Sequence, residues 1–323
     1  MIIKERQYPV KAKKLEALRR RLKDNHEQTP LIEQEYAKIL AGYRGEQSIN
    51  YFLSFLPQEQ YHIFHDLRLP SMQNEYFFQM DILLLSRQFF LIIEVKNIAG
   101  SVTYDPSNQQ LIQYHRDKEI VYRDPFLQVQ RQKQQLYKWI EKANITTPPP
   151  ISSLVILSNP QTLIKENASS HNLKLIRPDR IINKISEYER MYKYEYITQK
   201  DLKKLGRQFL KGHTAEEYDV MQKFGLTVAD LTPGVHCPKC SFLPMIRKRY
   251  SWLCSQCKYE NSEVYLSSLE DYFYLFGHTI NNPQLRSFLQ VSSRHSARRI
   301  FNKLNLPCTG NTKAANYTLP FDN

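Results

Sequence analysis

The sequence predicts a mixed α/β fold of the α+β kind, in which a mixed sheet is flanked by helices and smaller modules follow. Three observations predict it. Strand-like runs and helical periodicities succeed one another in the order β-β-β-α-β. The chain of 323 residues exceeds the usual size of one domain. Beyond about residue 220 its character changes, with a Pro-Gly break before a cluster of cysteines.

Two helices are expected to open the chain. Leucines recur at helical spacing within the basic stretch 8–29, which indicates an amphipathic helix with a solvated basic face. A second helix is expected over 30–56. Its two nearby glycines, Gly42 and Gly45, indicate either a close approach to another element or a break in the helix.

Runs of β-branched, aromatic and leucine residues predict the strands that follow. They are expected at 61–67, 79–86, 89–96, 101–104, 111–114, 119–122 and 151–157. A helix over 125–142 precedes the last strand, because Pro125 suits a first helical turn. Two further helical patterns cover 178–191 and 198–211.

Composition and charge exclude several classes of protein. Hydrophobic residues are 41% and charged residues 24%, which excludes a wholly disordered or fibrous chain. The formal net charge of +13 favours a polyanionic partner, nucleic acid first, and a basic surface without a specific partner is the alternative. No run approaches the roughly 18 apolar residues of a membrane-spanning helix, and no signal peptide is evident. We therefore expect a cytoplasmic protein with no membrane partner.

Two acidic residues are expected to face each other across a hairpin. If 79–86 and 89–96 pair, the numbers of paired residues sum to 175, so that Asp81 opposes Glu94. Lys96 then lies two residues further along the same face. Opposed carboxylates in an apolar setting are costly, and a divalent cation is the natural compensation.

The alternative is a structural pair of Glu94 and Lys96 at a strand edge, with Asp81 at a strand end. A slip of one residue would place the two carboxylates on opposite faces of the sheet. The turn residues Arg87-Gln88 do not strongly fix the register, because they are not a favoured two-residue turn. The hairpin register therefore decides between a cation site and a structural pair.

Four short motifs in order resemble the nuclease-related domain (NERD) family, within the restriction-endonuclease-like PD-(D/E)xK superfamily. They are Gly42-Tyr43-Arg44-Gly45-Glu46, Gln79-Met80-Asp81-Ile82-Leu83-Leu84, Ile93-Glu94-Val95-Lys96-Asn97-Ile98-Ala99-Gly100 and Asp124-Pro125-Phe126-Leu127-Gln128. In the last motif, Asp124 stands where the family has Asn. The resemblance covers roughly residues 35–150 and implies a restriction-endonuclease-like mixed sheet flanked by helices.

The resemblance also implies a role for each matching residue. Asp81 and Glu94 would ligate Mg²⁺ or Mn²⁺, and Lys96 would orient the attacking water or neutralise charge that develops on the phosphate. Glu46 would be a further ligand or a partner of the ligands, and Gln128 would position the site or the nucleic-acid backbone. For Glu46 and Gln128 the alternative is an ordinary residue on a helix surface.

Two Cys-x₂-Cys pairs indicate a zinc site. Cys237, Cys240, Cys254 and Cys257 supply the four thiolates that tetrahedral Zn²⁺ takes, and the segment between the pairs is strand-like, as in a zinc ribbon. Because all four positions are filled, we expect a structural ion. The fifth cysteine, Cys308, is expected to be a small buried residue.

Two basic regions are candidate contacts for nucleic acid. In the ribbon the candidates are Arg247, Lys248, Arg249 and Trp252. A helix-turn-helix pattern follows, with helices over 283–289 and 294–304, a cap at Ser293, and a short strand or wing within 311–319. Its candidates are Arg294, Arg298, Arg299 and Lys303. The alternatives are a solubilising shell around the ribbon and a solvated packing helix.

The sequence therefore predicts a metal-dependent nuclease that hydrolyses DNA phosphodiester bonds, with DNA favoured over RNA. One alternative is a non-catalytic nucleic-acid-binding protein on a nuclease-like scaffold, and another is a module whose zinc ribbon docks a protein partner. The expected segments are a basic helix at 1–30, a NERD-like domain with a helical extension at 31–220, the ribbon at 233–265 and a helix-turn-helix-like module at 266–323.

Overall fold

The structure is a computed structural model that describes residues 1–71, 76–142, 145, 147–165, 175–311 and 315–321. The chain divides into two compact units. The first unit comprises Met1–Gln7 and Ala41–Glu216, and the second unit comprises Tyr8–Leu40 and Glu217–Asn323. Helix α1 (Val10–Arg21) belongs to the second unit, and the division falls within helix α2 (Thr29–Leu53).

The first unit contains two sheets and the helices that cover them. Its strands are β1 (Ile2–Lys4), β2 (His62–Pro70), β3 (Phe77–Leu85), β4 (Phe90–Lys96), β5 (Ser101–Asp105), β6 (Gln110–His115), β7 (Lys118–Arg123), β8 (Ile151–Leu157), β9 (Leu163–Lys165) and β10 (Leu175–Ile176). Its helices, besides the C-terminal part of α2, are α3 (Pro125–Lys142), α4 (Ile181–Met191) and α5 (Gln199–Gly212).

The larger sheet has the order β1-β2-β3-β4-β8-β10. Strands β2, β3 and β4 are antiparallel neighbours, and β1, β8 and β10 join in parallel. Helices α3 and α5 pack on one face, and α4 with the C-terminal part of α2 packs on the other. The smaller sheet has the order β7-β6-β5-β9. The predicted mixed sheet flanked by helices is confirmed.

The hairpin of β3 and β4 has the register that the sequence predicts. Ile82 pairs with Ile93, and the ladder continues to the pair Leu85 and Phe90. Glu94 lies on the face of the sheet that α3 covers, like Phe90 and Ile92 of the same strand. The alternation of β3 breaks at Asp81, because Met80 and Leu83 pack into the same core. The register therefore brings Asp81 and Glu94 to neighbouring positions at the same end of the two strands.

Helix α2 runs without a break through Gly45, which marks a close approach. A Cβ at this position would lie 2.5 Å from the Cβ of Asn97 and 2.6 Å from the Oγ of Ser158. The Asn97 side-chain amide donates a hydrogen bond of 2.7 Å to the carbonyl oxygen of Ala41. Helix α2 therefore rests on the residues that follow β4 and β8, and this contact places Glu46 beside them.

The second unit is largely helical, with two small sheets. Its further helices are α6 (Val220–Lys223), α7 (Tyr265–Phe276), α8 (Asn282–Leu289) and α9 (Arg294–Lys303). Strands β11 (Ile246–Arg247), β12 (Trp252–Leu253) and β13 (Glu260–Asn261) form one sheet. Strands β14 (Thr279–Asn281), β15 (Cys308–Thr309) and β16 (Asn316–Thr318) form the other, with β16 in the centre. Of the strand or wing expected within 311–319, residues 312–314 lie outside the described residues.

The expectation of a solvated basic face on α1 is wrong for the end of the helix. The side chains of Arg21 and Asp271 are both fully buried, and Arg21 Nε donates to Asp271 Oδ2 at 2.8 Å. Arg20 donates to the other carboxylate oxygen at 2.6 Å. A buried charge is tolerated only when it is paired. The ion pairs therefore hold α1 against α7 within the second unit.

Candidate functional site

The acidic centre of the first unit is built around Glu94, near the end of β4. This residue is 2% exposed. Its Oε1 accepts hydrogen bonds from Lys96 Nζ at 2.7 Å and from Gln128 Nε2 at 2.8 Å, and its Oε2 accepts one from Gln132 Nε2 at 3.1 Å. Both carboxylate oxygens are therefore bonded, and one cation with two amides compensates the burial of the charge.

Helix α3 supplies both amides, because Gln128 and Gln132 lie one helical turn apart. Gln128 Oε1 also accepts from Lys96 at 3.2 Å, so this residue bridges the two charged groups. Gln132 Nε2 donates to the carbonyl oxygen of Gln79 at 2.8 Å, whereas its Oε1 is buried without a hydrogen-bond partner among the described residues. Gln132 was not among the residues predicted from the sequence, although its four-residue spacing from Gln128 was a signal.

Asp81 lies at the end of the β3–β4 ladder. Its Oδ2 accepts a hydrogen bond of 2.8 Å from the backbone amide of Val95. Burial raises the pKa of Asp81 well above its ordinary value, and the carboxylates of Glu94 and Glu46 raise it further. The Val95 amide and Lys96 oppose this shift. The hydrogen bond from Val95 and the charge of Lys96 therefore do not fully offset the cost of ionising Asp81.

Arg6, just after β1, contacts the centre from the N-terminal segment. Its Nη1 donates to the carboxylate of Glu46, and its Nη2 lies 3.1 Å from His65 Nδ1 and 3.4 Å from the carbonyl oxygen of Asp81. Burial raises the pKa of Glu46 to about 7 despite the nearby guanidinium. Arg6 was not among the residues predicted from the sequence, since nothing in its local sequence marks it.

The predicted residues Glu46, Asp81, Glu94, Lys96 and Gln128 thus gather at one end of the larger sheet. Among the described residues, the only group of three or more Asp, Glu, His or Cys ligand atoms within 4.8 Å of one another is a set of cysteines. Glu46 therefore does not form so tight a cluster with the other two acids. Its pairing with Arg6 fits a partner of the ligands better than a ligand.

The residues present fit a hard divalent cation. Carboxylate and amide oxygens are the donors that Mg²⁺ and Mn²⁺ prefer. The raised pKa of Asp81 shows that Lys96 and the Val95 amide do not offset its burial and the nearby carboxylates. Gln132 Oε1, which has no hydrogen-bond partner among the described residues, is a buried oxygen beside Glu94. Both groups would gain from an ion or from a water molecule that the ion orders.

The four cysteines of the second unit converge on one point. Their Sγ atoms all lie within 4.8 Å of one another, and two of the pairs, Cys237–Cys257 and Cys240–Cys254, are 3.5 Å apart. Zinc–sulfur bonds of about 2.3 Å in a tetrahedron separate the sulfurs by about 3.8 Å. The tetrad could therefore bind a metal such as zinc. Cys308 lies outside it and is exposed, so the expectation that it is buried is wrong.

Both Cys-x₂-Cys pairs have the same backbone geometry. The amide of the first cysteine donates to the carbonyl oxygen five residues later, at 2.9 Å from Cys237 and at 2.8 Å from Cys254. Ser241 and Lys258 occupy equivalent places, each with a φ of 60° and each donating its amide to the carbonyl oxygen of that cysteine. The repeated turn orients the two thiols of each pair alike.

The ribbon residues expected to contact nucleic acid differ in exposure. Trp252 is 1% exposed, and the guanidinium of Arg247 lies 3.7 Å from the centre of its ring. A buried ring is not available to stack on a base, so the expectation that Trp252 contacts nucleic acid is wrong. Lys248 and Arg249 are exposed, although Lys248 pairs with Glu260 at 3.2 Å.

Helix α9 separates its apolar and basic residues onto two faces. Its buried residues are Ala297, Ile300 and Phe301. Its exposed charged or titratable residues are Arg294, His295, Arg298, Arg299 and Lys303. Ser293 Oγ accepts hydrogen bonds from the amides of His295 and Ser296, so the expected cap is present. Lys303 differs from the other basic residues, because it pairs with Glu263 at 2.8 Å.

Residues 41–158 match the model of the nuclease-related domain family. This part of the chain is a nuclease-related domain. It contains the acidic residues, Lys96 and both glutamines of the acidic centre, and it indicates a nuclease-related function that involves nucleic acid. No curated protein and no solved structure matches the chain. Each helix within the described residues is too short or too polar to span a lipid bilayer.

Proposed function

We propose that the nuclease-related domain is a divalent-metal-dependent nuclease that hydrolyses phosphodiester bonds of DNA. One observation carries the proposal: buried Glu94 accepts a hydrogen bond of 2.7 Å from Lys96, and Asp81 Oδ2 accepts one of 2.8 Å from the amide of Val95, the residue between them. Carboxylates that are kept beside a lysine at a strand end are a common arrangement for phosphoryl chemistry, because developing negative charge needs positive groups in place.

Asp81 and Glu94 would hold Mg²⁺ or Mn²⁺. The ion supplies Lewis-acid polarisation of the phosphodiester when it is bound. Lys96 orients the attacking water or neutralises charge on the phosphate, and Gln128 holds its ammonium at 3.2 Å. Gln132 fixes the rotamer of Glu94, since it binds the oxygen that Lys96 does not contact.

We propose that the cysteine tetrad binds one structural zinc ion. All four ligand positions are thiols, so no position is open for a substrate. The equivalent turns at both Cys-x₂-Cys pairs support a closed site. DNA is the proposed partner rather than RNA, and Arg247, Lys248 and Arg249 of the ribbon and the basic residues of α9 are the proposed contacts.

The proposal is tested by cleavage of linear, circular and single-stranded DNA, with RNA in parallel, in Mg²⁺ and in Mn²⁺. The decisive variant is Glu94→Gln, which keeps the shape and removes the charge. We expect it to lose at least about 10²-fold in rate. The matched control is Glu141→Gln, because Glu141 is an exposed acid on α3; it should cut like the wild type.

Three results bear on the choice between functions. Cleavage by the wild type that Glu94→Gln abolishes supports hydrolysis at this centre. Binding of DNA without cleavage in either metal would replace the proposal with its alternative, a non-catalytic nucleic-acid-binding protein. Equal cleavage by the wild type and Glu94→Gln would show that a contaminant or another site cuts the DNA.

A further inference from the structure

We propose that the segment from α7 to β16 is a winged helix-turn-helix module that binds double-stranded DNA, with α9 lying in the major groove. The inference rests on the nucleic-acid partner proposed above, but it does not depend on hydrolysis at the acidic centre. Two independent observations carry it. One is the order and pairing of the elements, and the other is the charge on one face of α9.

The elements of this segment follow the order α7, β14, α8, α9, β15, β16. Strand β16 pairs antiparallel with both β14 and β15, so that the last strand lies between the other two. A strand before a helix-turn-helix, closed by a hairpin after it, is the arrangement of a winged helix-turn-helix. In that arrangement the second helix of the pair is the one presented to the duplex.

Packing fixes which face of α9 is presented. Phe301 stacks on Tyr317 of β16, with ring centroids 3.8 Å apart and ring planes 6° apart. Ala297 and Ile300 are buried in the same core as Leu285 and Leu289 of α8. Because these residues recur three and four apart, the opposite face of α9 must point away from the core.

That opposite face carries cations without acidic partners. Arg294, Arg298 and Arg299 are exposed, and no ion pair joins any of them to an acid in the described part of the chain. The helix itself contains no Asp or Glu. The basic residues Arg20 and Arg21 of α1 differ, because both bind Asp271. The positive charge of α9 is therefore free to meet phosphate oxygens or the edges of bases.

The shape and composition of this face of α9 favour double-stranded DNA over duplex RNA and single strands. A helix fits the major groove of B-form DNA, which is about 12 Å wide, whereas the major groove of duplex RNA is too narrow for side chains to read. Binding of single strands relies on exposed aromatic rings. The single Phe of α9, Phe301, is buried, and the helix has no Tyr or Trp. Double-stranded DNA is the partner that fits.

The test measures fluorescence anisotropy with the full chain in the Glu94→Gln background, so that the probe stays intact. The probes are a random-sequence DNA duplex, one of its single strands, and the duplex RNA of the same sequence. The variant Arg298→Gln/Arg299→Gln is compared with Lys23→Gln/Lys38→Gln, which removes the same charge from exposed positions in the second unit. Zinc content and circular dichroism confirm that each variant is folded.

We expect Arg298→Gln/Arg299→Gln to weaken binding of duplex DNA at least tenfold. We also expect the slope of log affinity against log salt to fall by roughly 2, since each phosphate contact contributes about 0.9. The control should stay within about twofold of the parent. Binding of duplex RNA and of the single strand should be weaker than that of duplex DNA and should respond little to the α9 variant.

Several results would overturn the inference: no binding of duplex DNA, equal losses in both double variants, or duplex RNA or single strands bound as tightly as duplex DNA. Failure of hydrolysis is a separate outcome. If the wild type cuts no DNA, but replacing Arg298 and Arg299 weakens binding of duplex DNA, this inference stands and the proposed nuclease activity fails. If the wild type cuts DNA, and the variant with both arginines replaced cuts and binds duplex DNA like the wild type, the nuclease activity stands and this inference fails.

Discussion

In the second unit, the Sγ atoms of four cysteines lie within 4.8 Å of one another. In the first unit, by contrast, side chains of the protein itself bind the carboxylates. Lys96 and two glutamines bind Glu94, and Arg6 binds Glu46. The difference shows two ways to tolerate a cluster of metal-binding side chains. Thiols can stay neutral until an ion arrives, whereas buried carboxylates need positive charge or hydrogen bonds at all times.

This contrast has a chemical consequence. A complete set of four thiolates leaves no position for a reactant, so an ion in the second unit can only stabilise the fold. The acidic centre has a lysine whose ammonium is shared between Glu94 and Gln128. A group held by such exchangeable hydrogen bonds can turn towards a phosphate without unfolding its surroundings. The acidic centre therefore allows a side chain to move during a reaction, whereas the cysteine tetrad would hold its ion in a fixed position.

The largest effect is expected from removing one thiol. Cys254→Ser should abolish binding of zinc, which we expect at about one ion per chain in the wild type, because a structural site needs all four ligands. The second unit should lose much of its stability, since Cys254 and Trp252 are buried together in its core. Metal analysis and urea unfolding measure both effects.

The matched control is Cys308→Ser, because Cys308 is exposed and lies outside the tetrad. It should keep its zinc and its unfolding midpoint. Full zinc content in Cys254→Ser would mean that the thiols do not form a shared site, and the contrast between the two centres would then disappear.

The next effect is expected at the lysine of the acidic centre. Lys96→Gln should lower the cleavage rate by about 10²-fold to 10³-fold, the usual cost of losing a group that stabilises charge in the transition state. It should leave zinc content unchanged. Lys138→Gln, at an exposed position of α3, is the control. A Lys96 variant that cuts at the rate of the control would leave the lysine a purely structural partner of Glu94.

A smaller effect is expected at Gln132, which contacts Glu94 and would not itself bind the ion. Gln132→Leu removes the hydrogen bond to Glu94 Oε2 and should weaken both affinity for Mn²⁺ and cleavage by about 10-fold to 100-fold. Gln134→Leu, at an exposed position of the same helix, controls for the added apolar side chain. Calorimetric titration with Mn²⁺ separates the loss of affinity from the loss of rate. Unchanged affinity would show that Gln132 does not hold Glu94 in place for the ion.

How far the sequence predicted these sites depends on the range of the interactions. The Cys-x₂-Cys pairs and the β3–β4 register are local, so spacing alone predicted the cysteine tetrad and the register of the hairpin that carries Asp81 and Glu94. Arg6 reaches Glu46 from 40 residues away. No periodicity encodes such a contact, because it depends on the parallel pairing of β1 with β2.

The local sequence pattern also did not predict that certain basic and aromatic side chains are buried. Trp252 lies in a short strand of the ribbon close to the basic run 247–249, yet it is buried in the core of the second unit. Arg21 belongs to a run of three arginines and is nevertheless fully buried, since Asp271 lies opposite it. In both cases a partner distant in sequence decides whether a basic or aromatic side chain faces solvent.

The smallest effect is expected from a change of pH, because carboxylates of the acidic centre must lose their protons before they bind a cation. Burial raises the pKa of Glu46 to about 7, and burial with nearby carboxylates raises the pKa of Asp81. Groups with raised pKa values keep their protons at low pH, and a cation binds the ionised forms. Affinity for Mn²⁺ should therefore rise about tenfold from pH 6 to pH 8, because a proton with a pKa near 7 must leave. Calorimetry on the zinc-loaded chain measures this affinity.

Glu46→Gln isolates the contribution of that one proton. If Glu46 is ionised when the cation binds, the substitution should flatten the rise in Mn²⁺ affinity between pH 6 and pH 8, while Glu141→Gln should keep it. The heat of binding measured in two buffers of different ionisation enthalpy gives the number of protons released, which should fall in the Glu46 variant alone. An affinity that does not change with pH in the wild type would show that the acidic centre is already ionised at pH 6. The centre would then be compensated by Lys96, Arg6 and the glutamines without needing an added cation.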